Sequence, residues 1–166
     1  MAVKDMRDLF LHELKDIYNA EQQLVSALPK MRDAAYSTDL KVSFDKHLDQ
    51  TREHVNRIEQ VFDILHETPS SQTCDGMKGL LKEGEHHLKA KTEGPLKDAG
   101  IVTAAQKTEH YEISAYQSLI AMAEELDYSD AVDILSETLK EEEETATMLS
   151  KMAENDINPQ AAISLG

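Results

Sequence analysis

The chain has 166 residues, the length of one ordinary domain, with 5% aromatic residues, 6 glycines and 4 prolines, a composition that speaks against a sheet protein and for an all-α fold. Its 32 acidic residues outnumber 17 basic ones, for a net charge of -15, which excludes nucleic acid and anionic membrane as natural partners and suits metal ions. A single cysteine, Cys74, charged first residues without an apolar leader, and no run of membrane-spanning length lead us to expect a cytoplasmic, disulfide-free protein.

Helical periodicity divides the chain into four long segments and a shorter one. Helix A is expected from about Val3 to Tyr36, with Leu9, Phe10, Leu14, Ile17, Leu24, Val25, Leu28 and Met31 on one stripe and a kink at Pro29. Ser37-Thr38-Asp39 ends it and caps helix B, about Leu40 to His66, which buries Phe44, Leu48, Val55, Ile58 and Phe62 and stops at Thr68-Pro69-Ser70-Ser71. A shorter helix spans Met77 to Lys91, and Glu93-Gly94-Pro95 ends it. Helix C follows from about Asp98 to Leu126. Helix D begins after Asp127-Tyr128-Ser129 and runs to about Glu154, leaving a frayed tail with Asn158-Pro159.

The connections set the topology. Short A-to-B and C-to-D turns make two antiparallel hairpins, whereas the B-to-C link carries a helix about 20 Å long that can travel the length of the bundle. One long crossover is the ferritin-like four-helix arrangement, expected here as a single domain over residues 1–166.

Chemistry emerges when charged positions are compared with the apolar stripes. Glu21 lies near the middle of the helix A stripe, between Ile17 and Leu24; Glu109 and Glu112 straddle the stripe of Val102, Ala105, Ile113, Tyr116 and Ile120; in the run Glu141 to Glu144, Glu142 is nearest the stripe of Leu135, Leu139, Ala146 and Leu149, with Glu141 second. These glutamates are level with one another near mid-bundle. No arginine or lysine is expected on the same stripes, and buried carboxylates without a basic partner call for a cation or a proton. Oxygen donors with some imidazole suit iron or manganese, and zinc is compatible; facing helices of a bundle are where carboxylate di-metal sites are built. Helix B lacks the usual Glu-x-x-His. Its donor is read as His54, level with Glu21 and beside Thr51, with His47 and Gln50 as alternatives; a hydrogen-bonded boundary histidine at position 54 fits equally. Glu53 faces away, and His12, His66, His86, His87 and His110 are expected in solvent. Tyr116, one turn from Glu112, is either a core tyrosine or a hydrogen-bond or electron donor beside the site.

The chain resembles the YciE/YciF-type ferritin-like proteins of bacteria, which are associated with stress responses. The likeness rests on Tyr18-Asn19-Ala20-Glu21-Gln22-Gln23-Leu24, His47-Leu48 with Thr51, Cys74 with Met77 and Gly79-Leu80, Glu109-His110-Tyr111-Glu112-Ile113, and Glu137-Thr138-Leu139 with Glu141-Glu142. It implies a rubrerythrin-like bundle, a homodimer, and a di-iron site of two ions per chain at Glu21, Glu109, Glu112 and Glu142. One departure stands out: the family pattern has glutamate at the position of Gln50 and glutamine at that of His54, so the helix B ligand is either shifted or lost. Oxygen, peroxide or iron handling is the chemistry so implied, with Glu112 and Glu142 bridging and Glu21, Glu109 and His54 terminal. The competing expectation is a metal-free structural or interaction bundle.

Overall fold

The computed structural model describes residues 3–163. Helix α1 spans Met6–Ala34 and α2 Thr38–Ile64, α3 is the shorter Asp75–Lys89, α4 covers Gly94–Glu125 and α5 Ser129–Met152; a π-helical turn, Ala153–Ile157, leads into α6, Asn158–Ile163. No strand occurs among the described residues. Hairpins α1/α2 and α4/α5 pack so that α1 lies beside α4 and α2 beside α5, and α3 crosses over the outside against α1 and α4. This is the all-α, one-crossover bundle that the connection lengths require.

Several boundaries differ from the sequence expectation, each for a local reason. Helix α1 starts at Met6 rather than Val3, because the Asp5 side chain caps it by accepting the Asp8 amide at 2.8 Å. It runs on through Pro29. Helix α4 begins at Gly94 instead of Asp98, and Pro95 opens it rather than ending its predecessor, since a first-turn proline gives up no helical hydrogen bond. The tail around Asn158-Pro159 is not frayed. The Asn158 amide reaches back five residues to the Ala153 carbonyl, and the wider turn delivers Ile157 and Ala161 into buried positions while Pro159 sits in the first turn of α6.

The first interhelical turn is anchored from across the bundle. Asp98, 1% exposed, accepts the amides of Tyr36 and Ser37 at 2.7 Å each, which satisfies amide groups that a helix end leaves open. The crossover is seated by Cys74, whose Sγ accepts the Met77 amide at 3.4 Å and lies 3.0 Å from the Tyr111 hydroxyl. Gly76 permits this seating: a Cβ there would lie 2.7 Å from the Tyr111 ring.

Two apolar clusters fill the interior. One contains Phe10, Leu14, Ile58, Phe62, Leu119 and Leu135; the other contains Leu28, Leu40, Phe44, Ile101, Val102 and Leu149. Each fully buried Leu, Ile or Phe contributes about 1.5–3 kcal/mol. The layer between them is polar.

Candidate metal centre

That middle layer collects side chains from all four long helices. Glu21, His54, Glu112 and Glu142 are 0% exposed, Glu109 1% and His47 2%. Two groups of donors result: His47, Glu109, Glu112 and Glu142 in one, Glu21, His54 and Glu142 in the other, with the donor atoms of each within 4.8 Å of one another. Glu142 belongs to both. All five residues read from the sequence thus meet in one cluster, and His47, ranked behind His54 there, joins them. The seven-residue spacing of His47 and His54 puts both on one face of α2, separated by two turns or about 10 Å along the axis, so each histidine serves one group.

The separations are short and the hydrogen bonds few. His47 Nε2 is 3.1 Å from Glu109 Oε1 and 3.8 Å from Glu142 Oε2, and His54 Nδ1 is 2.9 Å from Glu142 Oε1 and 3.4 Å from Glu21 Oε1. Yet His47 Nε2, His54 Nδ1, one oxygen each of Glu21 and Glu109, and both oxygens of Glu112 and Glu142 are buried without a hydrogen-bond partner. Groups of this kind are costly to bury unsatisfied. The atoms converge around shared centres.

The outward sides of the rings are held. His54 Nε2 lies 2.8 Å from Glu141 Oε2, and Arg57 grips that carboxylate at 2.8 and 3.2 Å while also reaching Glu137 at 2.9 Å. His47 Nδ1 is 3.4 Å from the Thr145 hydroxyl. An outer nitrogen held in this way keeps its proton when the inner nitrogen binds a cation, the arrangement in which histidine binds metal under a carboxylate or hydroxyl orienter. Arg57 corrects the expectation that no basic residue lies near these stripes; it is buried on α2, but its charge is committed to Glu141 and Glu137 outside the cluster. Tyr116 donates its hydroxyl to Glu21, so it is a core tyrosine and a hydrogen-bond donor at once.

Electrostatics follow from burial. Desolvation, then the Glu142, Glu21 and Glu109 charges, pushes Glu112 well above the usual carboxylate range. Desolvation raises Glu109 to about 7, and desolvation with the neighbouring Glu109 raises Glu142 to about 8. Burial opposes the His54 imidazolium, but Glu21 and Glu142 outweigh it and lift the group to about 11. In metal-free protein, protons offset the carboxylate charge, and a cation would take their place.

The donor set, four glutamates and two histidines, is that of carboxylate di-metal bundles, with both histidines moved onto one helix instead of being spread over two Glu-x-x-His motifs. The residues therefore fit a pair of first-row metal ions. Gln50 is half-buried and Glu53 exposed, and neither belongs to the donor groups. His66, His86 and His110 are exposed as expected, whereas His12 and His87 are half-buried, His12 against Gln72 at 3.2 Å and His87 against Gly100.

Fold and cluster define a ferritin-like bundle with a buried carboxylate–histidine centre. The sequence pattern of the family described as Domain of unknown function (DUF892) matches residues 5–162, and the chain belongs to that family. It is 37% identical to protein YciF of Escherichia coli strain K12 over 162 residues, 97% of this chain and 98% of that protein. The crystal structure of the E. coli stress protein YciF superposes with a TM-score of 0.90, covering 94% of this chain and 99% of that one. YcfI of Rhodopseudomonas palustris, whose name assigns it provisionally to structural proteins, is 42% identical with a TM-score of 0.87 over 89% of this chain and 94% of its own. A protein from Xanthomonas campestris pv. campestris shares the fold at 18% identity, with a TM-score of 0.77 over 98% of this chain and 100% of that one. No helix among the described residues is long and apolar enough to cross a membrane.

Proposed function

We propose that this chain is a di-iron carboxylate protein of the stress response that handles oxygen, peroxide or iron, working in the cytoplasm as a homodimer. The observation that carries the reading is Glu112, a fully buried carboxylate with neither oxygen hydrogen-bonded, inside a set of six inward-facing donors. A purely structural polar network would pair such oxygens with amides, hydroxyls or a basic side chain. Here the nearby arginine, Arg57, is turned outward to Glu141 and Glu137, and the His54 imidazole faces Glu142 and Glu21 rather than Glu112.

Each residue has a role in holding the ions. Glu142, common to both donor groups, is placed to be shared between two centres; His47, Glu109 and Glu112 complete one, Glu21 and His54 the other. Two bound irons would supply paired one-electron chemistry toward dioxygen or peroxide. The chain holds the donors in place, orients His54 through Glu141 and Glu21 through Tyr116, and excludes water by burial.

The test is anaerobic ferrous loading of the full-length protein, followed by metal analysis by plasma mass spectrometry and oxygen-uptake measurement. About two irons per chain with oxygen consumption is the expected result. Protein that takes up no iron at neutral pH would overturn the reading and favour a metal-free structural or interaction bundle. Sedimentation of the same sample decides the homodimer.

A further inference from the structure

A cavity of about 520 Å3 opens between α1, α3 and α4, and none of the metal-centre donors lines it. Its walls are apolar: Ala27 and Met31 come from α1, Leu81 and Leu88 from α3, Ile101 and Ala104 from α4. Three of the polar side chains among them are already engaged. Gln23 donates to Asn19 and to the Cys74 carbonyl, Ser26 to the Gln22 carbonyl, and Thr108 to the Ala105 carbonyl. The walls thus offer little but hydrocarbon surface.

The rim is different. Lys30 on α1 and Lys78 and Lys82 on α3 border the cavity from two sides. Among the described residues, the lysines in ion pairs are Lys89, Lys107 and Lys140, so the three rim lysines have their ammonium groups outside any ion pair. Glu85, the acidic residue of the lining, is held by Lys89 at 2.6 Å and is influenced more weakly by Lys30. In a molecule of net charge -15, this mouth is locally positive, and such a patch raises the local concentration of anions.

We propose that this cavity binds a single-chain amphiphile with one carboxylate, a medium- or long-chain fatty-acid monoanion, its tail between α1, α3 and α4 and its head among Lys30, Lys78 and Lys82. The volume lies in the range of small-molecule sites. The apolar walls select a hydrocarbon tail, and the cationic rim selects a negative head over a neutral one. The proposal is independent of the metal centre, because no donor of that centre contributes to the cavity.

Isothermal titration of full-length, metal-free protein with decanoate, kept below its micelle concentration, tests this directly, with 1-decanol and acetate as comparators. One decanoate per chain is expected, with decanol at least tenfold weaker and acetate giving no heat. The triple variant Lys30→Gln, Lys78→Gln and Lys82→Gln changes only exposed side chains and should weaken decanoate at least tenfold at an unchanged melting temperature. Ala27→Trp fills the cavity and should abolish binding. Higher salt should weaken decanoate and leave decanol unaffected. Absence of decanoate binding, equal affinity for decanol, or wild-type affinity in the lysine variant would each overturn the proposal. So would co-sedimentation with phosphatidylglycerol vesicles by protein that ignores free decanoate, since that outcome marks the face as a membrane-docking surface.

Discussion

Asp98 and Glu112 are both buried carboxyl groups on α4, and they have opposite surroundings. Asp98 accepts two backbone amides at 2.7 Å and closes the α1/α2 turn; Glu112 has neither oxygen bonded and faces three other glutamates. The first is a structural cap whose removal exposes the amides it satisfied. The second lowers the stability of the metal-free fold and, under the proposed function, acquires its purpose with a cation. Burial alone therefore says little about a carboxylate's role; what it is bonded to decides.

The comparison can be broken by experiment. The largest effect should come from metal itself: ferrous or manganous ion at a thousandfold its dissociation constant stabilises the native state by about 4 kcal/mol, read as a melting-temperature rise that chelator reverses. A melting temperature indifferent to metal would place Glu112 with Asp98 as a structural group. Next, Asp98→Ala should cost about 3 kcal/mol by leaving two amides without their acceptor, with metal content unchanged. Glu112→Gln should have the opposite sign, raising metal-free stability by about 1–2 kcal/mol because folding no longer has to place a proton on a buried carboxyl that is ionised in the unfolded chain, while metal content falls below that of the parent.

The pH dependence follows the same division. Glu109 and Glu142 hold protons up to about 7 and about 8 in the fold, whereas in the unfolded chain they lose them near 4.5. The folded state thus binds more protons through that interval, and metal-free stability should decline as pH rises from 4.5 to 8. His54, raised from 6.5 to about 11, contributes in the same direction: its stabilisation is complete below 6.5 and is lost as pH climbs toward 11. Thermal melts at pH 6 and pH 8 check this, and Glu142→Gln should flatten the slope. Bound metal should reverse it, because the ions compete with those protons. The smallest effect is expected from Arg57→Ala, which frees Glu141 and loosens its hold on His54; affinity for metal should drop about tenfold, visible in competition with a chelator.

Much of this arrangement was legible in the sequence, because stripe position reports burial. Glu21, Glu109, Glu112 and Glu142 stand near the middle of apolar stripes, and a helix has only one way to turn such positions inward. His47 ranked second because depth was compared at a single level, whereas the donor groups extend along the axis and need a histidine at each end. The His47-x-x-x-Thr51-x-x-His54 spacing already placed both on one face. Arg57 was missed because its guanidinium finds its partners on α5, a pairing that no local pattern encodes. The π-helical turn escaped for the same reason: Ile157 is drawn inward by contacts with α4, and only tertiary packing specifies them.

Neither hairpin owns a complete donor group. The α1/α2 pair brings Glu21, His47 and His54, the α4/α5 pair brings Glu109, Glu112 and Glu142, and each group draws on both. A bound ion would therefore be a clasp between two halves of the chain whose one covalent link is the crossover. It would hold together donors that lie far apart in the chain, and its release would require the two hairpins to separate. Metal retention would then be a kinetic property of the whole bundle, set by how often the halves part rather than by the strength of any one bond.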